Sequence, residues 1–158
     1  MIQARIAAQL DQEVERLRKK YNPISTQSLE RIAREEYGAT VIKTPLGLGS
    51  GVTKTEEGLF VFYYASFKPY EPLTLGHEIG HVAAGNLNER CKQNLWIKEK
   101  EADYFSTRLN DISLSTVNLY RLIEASLRFK DHFLNIFRYR KEIEKLQQQS
   151  AYKAFKSF

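Results

Sequence analysis

Residues 73–85, LTLGHEIGHVAAG, contain two histidines four positions apart, with a glutamate directly after the first. Histidines at positions i and i+4 lie on one face of a helix about a turn apart, so the rings of His77 and His81 can bind one metal ion. When zinc is that ion, it lowers the pKa of a bound water to about 7 and produces hydroxide that attacks a carbonyl carbon. The carboxylate of Glu78 can take the proton of that water and pass it to the leaving amine. The pattern therefore predicts a zinc peptidase site with Glu78 as the general base.

A zinc site needs a third protein ligand, and the one remaining histidine is a poor candidate for it. His132 lies far beyond the motif in an aromatic helical stretch, where we expect it in the core or at the surface. The segment IKEKEADYFSTRL offers Glu99 and Glu101, which point about 200° apart on a helix, so only one can face the metal. Glu99 is favoured because Asp103, four residues later on the same face, can accept the free N–H of a ligating histidine. The predicted zinc ligands are therefore His77, His81 and Glu99.

Two other classes of H-E-x-x-H enzyme do not fit the residues around the motif. The long pattern H-E-x-x-H-x-x-G-x-x-H needs a glycine where this chain has Ala84 and a histidine where it has Leu87. Peptide deformylases have an aspartate at the position of Gly80 and a cysteine upstream of the motif, whereas Cys91 lies downstream. A set of two histidines and one glutamate remains as the predicted zinc site.

The two motifs together resemble a known family. LTLGHEIGH, followed closely by EKEADYFSTRL, is similar to the ImmA/IrrE-type metallopeptidases, whose pattern is a HELGH-like helix and then an E-x-E-A-(N/D)-x-F-A helix. The stretches YNPIS, LERIAREEYGATVI and GLFVFYY resemble the N-terminal helix and small sheet of that family, so the resemblance extends over residues 15–110. The chain departs from the family pattern at Gly76 and Ser106, where alanine is usual, and LNDIS lacks the common proline-ending segment.

The resemblance implies a compact gluzincin-like fold and a cytosolic protease that depends on Zn²⁺ and cleaves few proteins. The substrate it implies is a helix-turn-helix transcriptional repressor. Carried over by position, the metal residues are His77, His81 and Glu99, and the base is Glu78.

A second hypothesis is a regulatory binding protein that keeps the metallopeptidase fold but does not cleave, and acts by contact with DNA or a regulator. The net charge of +5 is compatible with an acidic partner. Direct nucleic-acid binding is not favoured, because a charge of this size is more often a solvated surface. A third, weaker hypothesis is a toxin-type hydrolase that acts on a bond other than a peptide bond.

The bulk composition is that of an ordinary soluble globular protein, with 42% hydrophobic and 27% charged residues among 158. No apolar run approaches the roughly 18 to 20 residues that a membrane span needs. The first twenty residues mix charges throughout, so we expect a helix there and not a secretory signal. A single cysteine allows no intramolecular disulfide, and we therefore expect a cytoplasmic protein.

Hydrophobic periodicity predicts helices before and after a short β region. Helices are expected over residues 2–20, from Ser25 or Thr26 to Gly38, through the motif to about Ala84, over 92–109 and over 115–147. ATVIKT, SGVTKT and GLFVFYYAS predict three short strands, which we expect to be antiparallel. This order favours an α+β fold. We expect residues 1–112 to form the metallopeptidase domain and 113–158 a C-terminal helical extension packed on it or appended to it.

A peptidase of this kind also needs a donor for the oxyanion, commonly a tyrosine or histidine. The candidates are Tyr63, Tyr64, Tyr70 and Tyr104, and the sequence ranks none above the others. Cys91, between the two motifs, is favoured as a packing residue over a ligand of the open zinc position. The basic tail, residues 138–158, can dock on a partner helix, DNA or an acidic membrane, or fold back on the core.

Overall fold

The computed structural model describes residues 2–44, 49–87 and 94–138, with the backbone alone for 114 and 129–138. Its elements, in chain order, are α1 (Ala4–Lys20), α2 (Thr26–Tyr37), β1 (Ala39–Lys43), β2 (Gly51–Thr55), β3 (Gly58–Tyr63), a 3-10 turn (Lys68–Tyr70), α3 (Glu71–Ala83), α4 (Leu95–Asn110) and α5 (Leu114–Arg138). The predicted α+β class is confirmed. The start of the predicted helix at 92, Cys91 and the tail from 139 lie outside the described residues, as does the side chain of His132.

The first two helices each bury one apolar face. On α1 the buried residues are Leu10, Val14 and Leu17, and on α2 they are Leu29, Ile32 and Ala33. The residues at the two ends of α2 explain where it begins and ends. At its start, Ser25 and Ser28 form a reciprocal hydrogen-bonded cap. Gly38 ends the helix at φ +64°, a left-handed conformation that glycine adopts without a steric cost.

The sheet is mixed, and the prediction of an all-antiparallel sheet was wrong. Its strand order is β1-β3-β2, with β2 antiparallel and β1 parallel to β3. The chain reverses direction between β1 and β2 and again between β2 and β3, so β1 and β3 run the same way. Because β3 lies between the other two, it must pair with β1 in parallel. Val61 and Phe62 of β3 are both fully buried, and their side chains point to opposite faces, which suits a central strand.

Helix α3, which carries the histidine motif, lies at the centre of the fold and packs against α2, α4, β2 and β3. Its Leu75 and Ile79 join Phe105 and Leu109 of α4 in one hydrophobic core with the buried faces of α1 and α2. The centre of the fold therefore holds the helix on which the predicted chemistry depends.

Two glycines of α3 allow α4 to approach closely. A Cβ at Gly80 would lie 2.8 Å from both Cα and the carbonyl oxygen of Ala102, which are main-chain atoms. A Cβ at Gly76 would lie 2.8 Å from Oγ of Ser106 and 2.9 Å from Nδ2 of Asn110. A glycine inside a helix costs about 1 kcal/mol against alanine, and here the close contact between helices accounts for it.

Helix α5 is attached to the loop that joins β3 to α3. Glu124, which is almost fully buried, accepts hydrogen bonds from the backbone N–H groups of Ser66 and Phe67 at 2.9 and 2.7 Å. Arg128 donates to the carbonyl oxygen of Tyr64 at 3.2 Å. The predicted boundary between a domain of residues 1–112 and an extension of residues 113–158 stays a prediction. Helix α5 lies beyond that boundary and makes these contacts with the part before it. In the described ranges, the helices are too short or too polar to cross a membrane.

Candidate metal centre

The predicted site residues come from two helices in close contact. His77, Glu78 and His81 lie on α3, and Glu99 and Asp103 lie on α4. Among the described residues, His77, His81 and Glu99 form the one group of three that can hold a metal ion, with ligand atoms all within 4.8 Å of one another. The structure thus brings together the three residues predicted as ligands.

The carboxylate of Glu99 lies between the two imidazole rings. Its Oε2 is 3.1 Å from Nε2 of His77, and its Oε1 is 3.3 Å from Nε2 of His81. The two rings are nearly perpendicular, with centroids 4.8 Å apart. Neighbouring ligand atoms of a tetrahedral zinc ion with bonds of 2.0–2.1 Å are about 3.3 Å apart. Both nitrogen–oxygen distances are close to this spacing, and two imidazole nitrogens with a carboxylate are a donor set that fits zinc.

Asp103 holds the ring of His77 from the side away from Glu99. Its Oδ1 is 2.8 Å from Nδ1 of His77 and 2.5 Å from Nη2 of Arg121. Burial tends to raise the pKa of Asp103, but the hydrogen bonds to His77 and Arg121 outweigh it and lower that pKa. The aspartate is therefore anionic, and an anionic acceptor keeps the Nδ1 proton on its side of the ring and leaves Nε2 towards Glu99.

The surroundings of the two histidines favour different protonation states. Burial lowers the pKa of His77, but hydrogen bonds to Asp103 and Glu99 outweigh it and raise that pKa to about 10. Burial and the neighbouring charge of His77 lower the pKa of His81. His77 is thus the histidine that carries the charge, and its Nε2–H donates to Glu99.

Glu78 is a buried carboxylate beside the ligands, only 6% exposed. Burial raises the pKa of Glu78 to about 7, and the nearby charge of His77 opposes this rise. A carboxyl group with a pKa near 7 can both accept and donate a proton at neutral pH.

The two glutamates of α4 have the different surroundings that helix geometry predicts. The Glu99 side chain is 46% exposed and reaches both histidines, whereas Glu101 is fully buried and is not part of the ligand group. The choice of Glu99 over Glu101 agrees with this arrangement.

Of the four tyrosines considered as oxyanion donors, the structure connects Tyr70 to the site. Tyr63 donates to Glu30, and Tyr104 donates to Asp11. Tyr64 accepts a hydrogen bond from Ser66. The hydroxyl of Tyr70 accepts from Nε of Arg121 at 3.4 Å. The residues Tyr70, His77, Asp103 and Arg121 line one small cavity.

Arg121 is the residue of this network that the sequence did not reveal. It follows Asp103 by 18 positions and lies on another helix, so no helical spacing connects the two. A basic residue on a long helix has many ordinary explanations, and no signal in one sequence separates Arg121 from the others.

Comparison with protein-family models, with curated proteins and with solved structures found no match to this chain.

Proposed function

We propose that this chain is a zinc-dependent endopeptidase with a gluzincin-like, ImmA/IrrE-type site and a restricted protein substrate. The observation that carries the proposal is the group of His77, His81 and Glu99, with the buried carboxylate of Glu78 beside it. Two imidazole nitrogens and a glutamate oxygen are the set that many zinc peptidases use. When bound, zinc would polarise the carbonyl of the substrate and lower the pKa of water.

Each residue of the site has a separate task in this reaction. His77, His81 and Glu99 hold the metal, and Asp103 fixes the ring of His77 through Nδ1. The carboxylate of Glu78 accepts the proton of the attacking water and donates it to the nitrogen of the leaving amine. Burial raises the pKa of this carboxyl group, so it takes up a proton more readily than a carboxyl group in water does. This pairing of a metal site with a tuned carboxyl group favours hydrolysis over a purely structural metal.

The proposed substrate is a helix-turn-helix repressor, and this part rests on the resemblance of the two motifs to the ImmA/IrrE-type peptidases. The non-proteolytic binding protein remains the competing hypothesis. The two differ in whether Glu78 matters, because contact with DNA or with a regulator does not need a general base.

The first test is the zinc content of purified protein. We expect about one zinc ion per chain, lost in Glu99→Ala and kept in Glu101→Gln. Glu101→Gln is the matched control because it alters a glutamate of the same helix outside the ligand group, and the isosteric amide suits a fully buried position. A wild-type chain that binds no zinc after reconstitution would contradict the proposal.

The second test compares wild-type protein with Glu78→Gln in cells, by labelling new protein termini and identifying them by mass spectrometry. The variant should keep its zinc and lose at least 100-fold in cleavage, since a general base contributes about 10² to 10⁴ in rate. New termini in a DNA-binding repressor, seen with the wild type only, would support the proposed substrate. If Glu78→Gln keeps full activity in the cell, proteolysis is refuted and the binding hypothesis takes its place.

A further inference from the structure

Arg121 lies on α5, outside the two helices that carry the candidate ligands, yet its guanidinium reaches the metal centre. Nη2 donates to Oδ1 of Asp103 at 2.5 Å, and Nε makes a longer hydrogen bond to the hydroxyl of Tyr70. The same Oδ1 atom is 2.8 Å from Nδ1 of His77. One carboxylate oxygen therefore joins a guanidinium of α5 to a ligand histidine of α3.

The position of Arg121 is set by a buried contact one turn further along α5. Glu124 accepts two backbone N–H groups of the loop that leads into α3, and also Nε of Arg128 at 2.7 Å. Charge-assisted hydrogen bonds of this kind are about twice as strong as neutral ones. Because Glu124 fastens α5 to that loop, Arg121 is held in a fixed place relative to the helix that carries the histidines.

The Asp103 side chain, which connects Arg121 to His77, is partly exposed and would be free to rotate without a second contact. Its side chain is 36% exposed, whereas that of His77 is 20% exposed. An exposed carboxylate held by one hydrogen bond retains rotational freedom, and ordering it costs free energy. The planar guanidinium is already organised for such a contact, so Arg121 removes much of that freedom before a metal binds.

We propose that Arg121 is a positioning residue of the metal centre, which acts through Asp103 to fix the ring of His77 with Nε2 towards Glu99. This inference rests on the proposed function, because it assigns Arg121 to the same zinc site. It also places one contact of the site on α5, so the proposed site includes a residue beyond position 112. An ordinary surface ion pair would contribute at most about 1 kcal/mol to folding and nothing to metal binding.

The test is a double-mutant cycle on zinc affinity, measured by competition with a chromophoric chelator on the full chain. Arg121→Ala should weaken zinc binding about 10-fold, the lower end of what partners of metal ligands contribute. Asp103→Ala should weaken it at least as much, and the double variant should lose no more than Asp103→Ala alone. Arg108→Ala is the matched control, because Arg108 is an exposed arginine paired with Asp11 away from the site; it should bind zinc normally.

Two further measurements separate positioning from a general loss of structure. The ligand-field absorption of the cobalt-substituted protein should change in Arg121→Ala and return towards that of the wild type in Arg121→Lys. Thermal unfolding of the metal-free variants should show similar transitions. The inference would be overturned if the losses of zinc affinity in the two single variants added up in the double variant, or if the cobalt spectrum of Arg121→Ala were unchanged. It would also be overturned if Arg121→Ala bound zinc weakly only because it was unfolded. Wild-type protein without zinc would instead refute the proposed function, whereas zinc binding unaffected by Arg121→Ala would overturn the role of Arg121 alone.

Discussion

Gly80→Ala is expected to damage both the fold and the metal centre, although alanine is the better helix former. The new methyl group would lie 2.8 Å from main-chain atoms of Ala102, about 0.6 Å inside an ordinary contact of 3.4 Å. Main-chain atoms cannot rotate away, so α4 must move as a whole. Overpacking of this kind costs about 1 to 3 kcal/mol, and the gain in helix propensity offsets about 1 kcal/mol.

The net loss for Gly80→Ala is therefore about 0 to 2 kcal/mol, and Tm should fall by up to about 8 °C in a domain of this size. Glu99 lies on α4 one turn before Ala102 and moves with that helix. Metal–ligand distances tolerate a change of about 0.2 Å, so a shift of about 0.6 Å should also weaken zinc binding at least 10-fold. Calorimetric unfolding of the metal-free chain and a zinc titration measure the two effects separately.

Gly76→Ala is the matched control on the same helix face. Its methyl group would meet the side chains of Ser106 and Asn110, which can rotate. The rotation of Ser106 gives up its hydrogen bond to the carbonyl oxygen of Leu73, and movement of Asn110 weakens the hydrogen bonds that its amide donates to nearby carbonyl oxygens. Each loss is worth about 1 kcal/mol and helix propensity returns about 1 kcal/mol, so the free energy of unfolding should fall by about 1 kcal/mol. Because side chains move here and α4 does not, zinc binding should be unchanged. If Gly80→Ala proves as stable as Gly76→Ala and binds zinc as well as the wild type, the close contact of α3 and α4 does not position the site.

Two other predictions concern protons. Zinc binding at pH 7 should release at least about one proton per ion, because the metal displaces the Nε2 proton of His77, whose pKa is about 10. Titration calorimetry in buffers of different ionisation enthalpy measures this number, and zero would contradict the prediction. Glu36→Gln should lower Tm by about 2 to 4 °C at pH 7, which corresponds to about 1 kcal/mol. Hydrogen bonds from Lys20, Tyr21 and Arg16 lower the pKa of Glu36 to about 2. The ionised carboxylate of Glu36 therefore makes its full contribution to the free energy of unfolding above the unfolded-state pKa of about 4.3. That contribution is lost as the pH falls through 2. A Tm difference as large at pH 2 as at pH 7 would refute this account.

The local parts of the structure were accessible from the sequence because they depend on spacing along one element. The histidines four residues apart and the pair Glu99 and Asp103 share helix faces for the same reason, and Gly38 ends α2 where its type predicts. Contacts between distant segments were not accessible. The parallel pairing of β1 with β3 depends on which strand lies in the middle, and the contact of Arg121 with Asp103 depends on how α5 docks. Neither the strand pairing nor the docking of α5 leaves a repeating pattern of residue types that can be read from one sequence.

The three candidate ligands differ in how far they are open to water, with the carboxylate outermost. The side chain of Glu99 is 46% exposed, whereas those of His77 and His81 are 20% and 12% exposed. A hydrated cation that approaches from solvent therefore meets the anionic oxygens before the ring nitrogens, and charge attraction raises the rate of such encounters. The carboxylate would thus be the first ligand that an incoming ion meets, and its loss should slow the capture of the ion as well as weaken its retention.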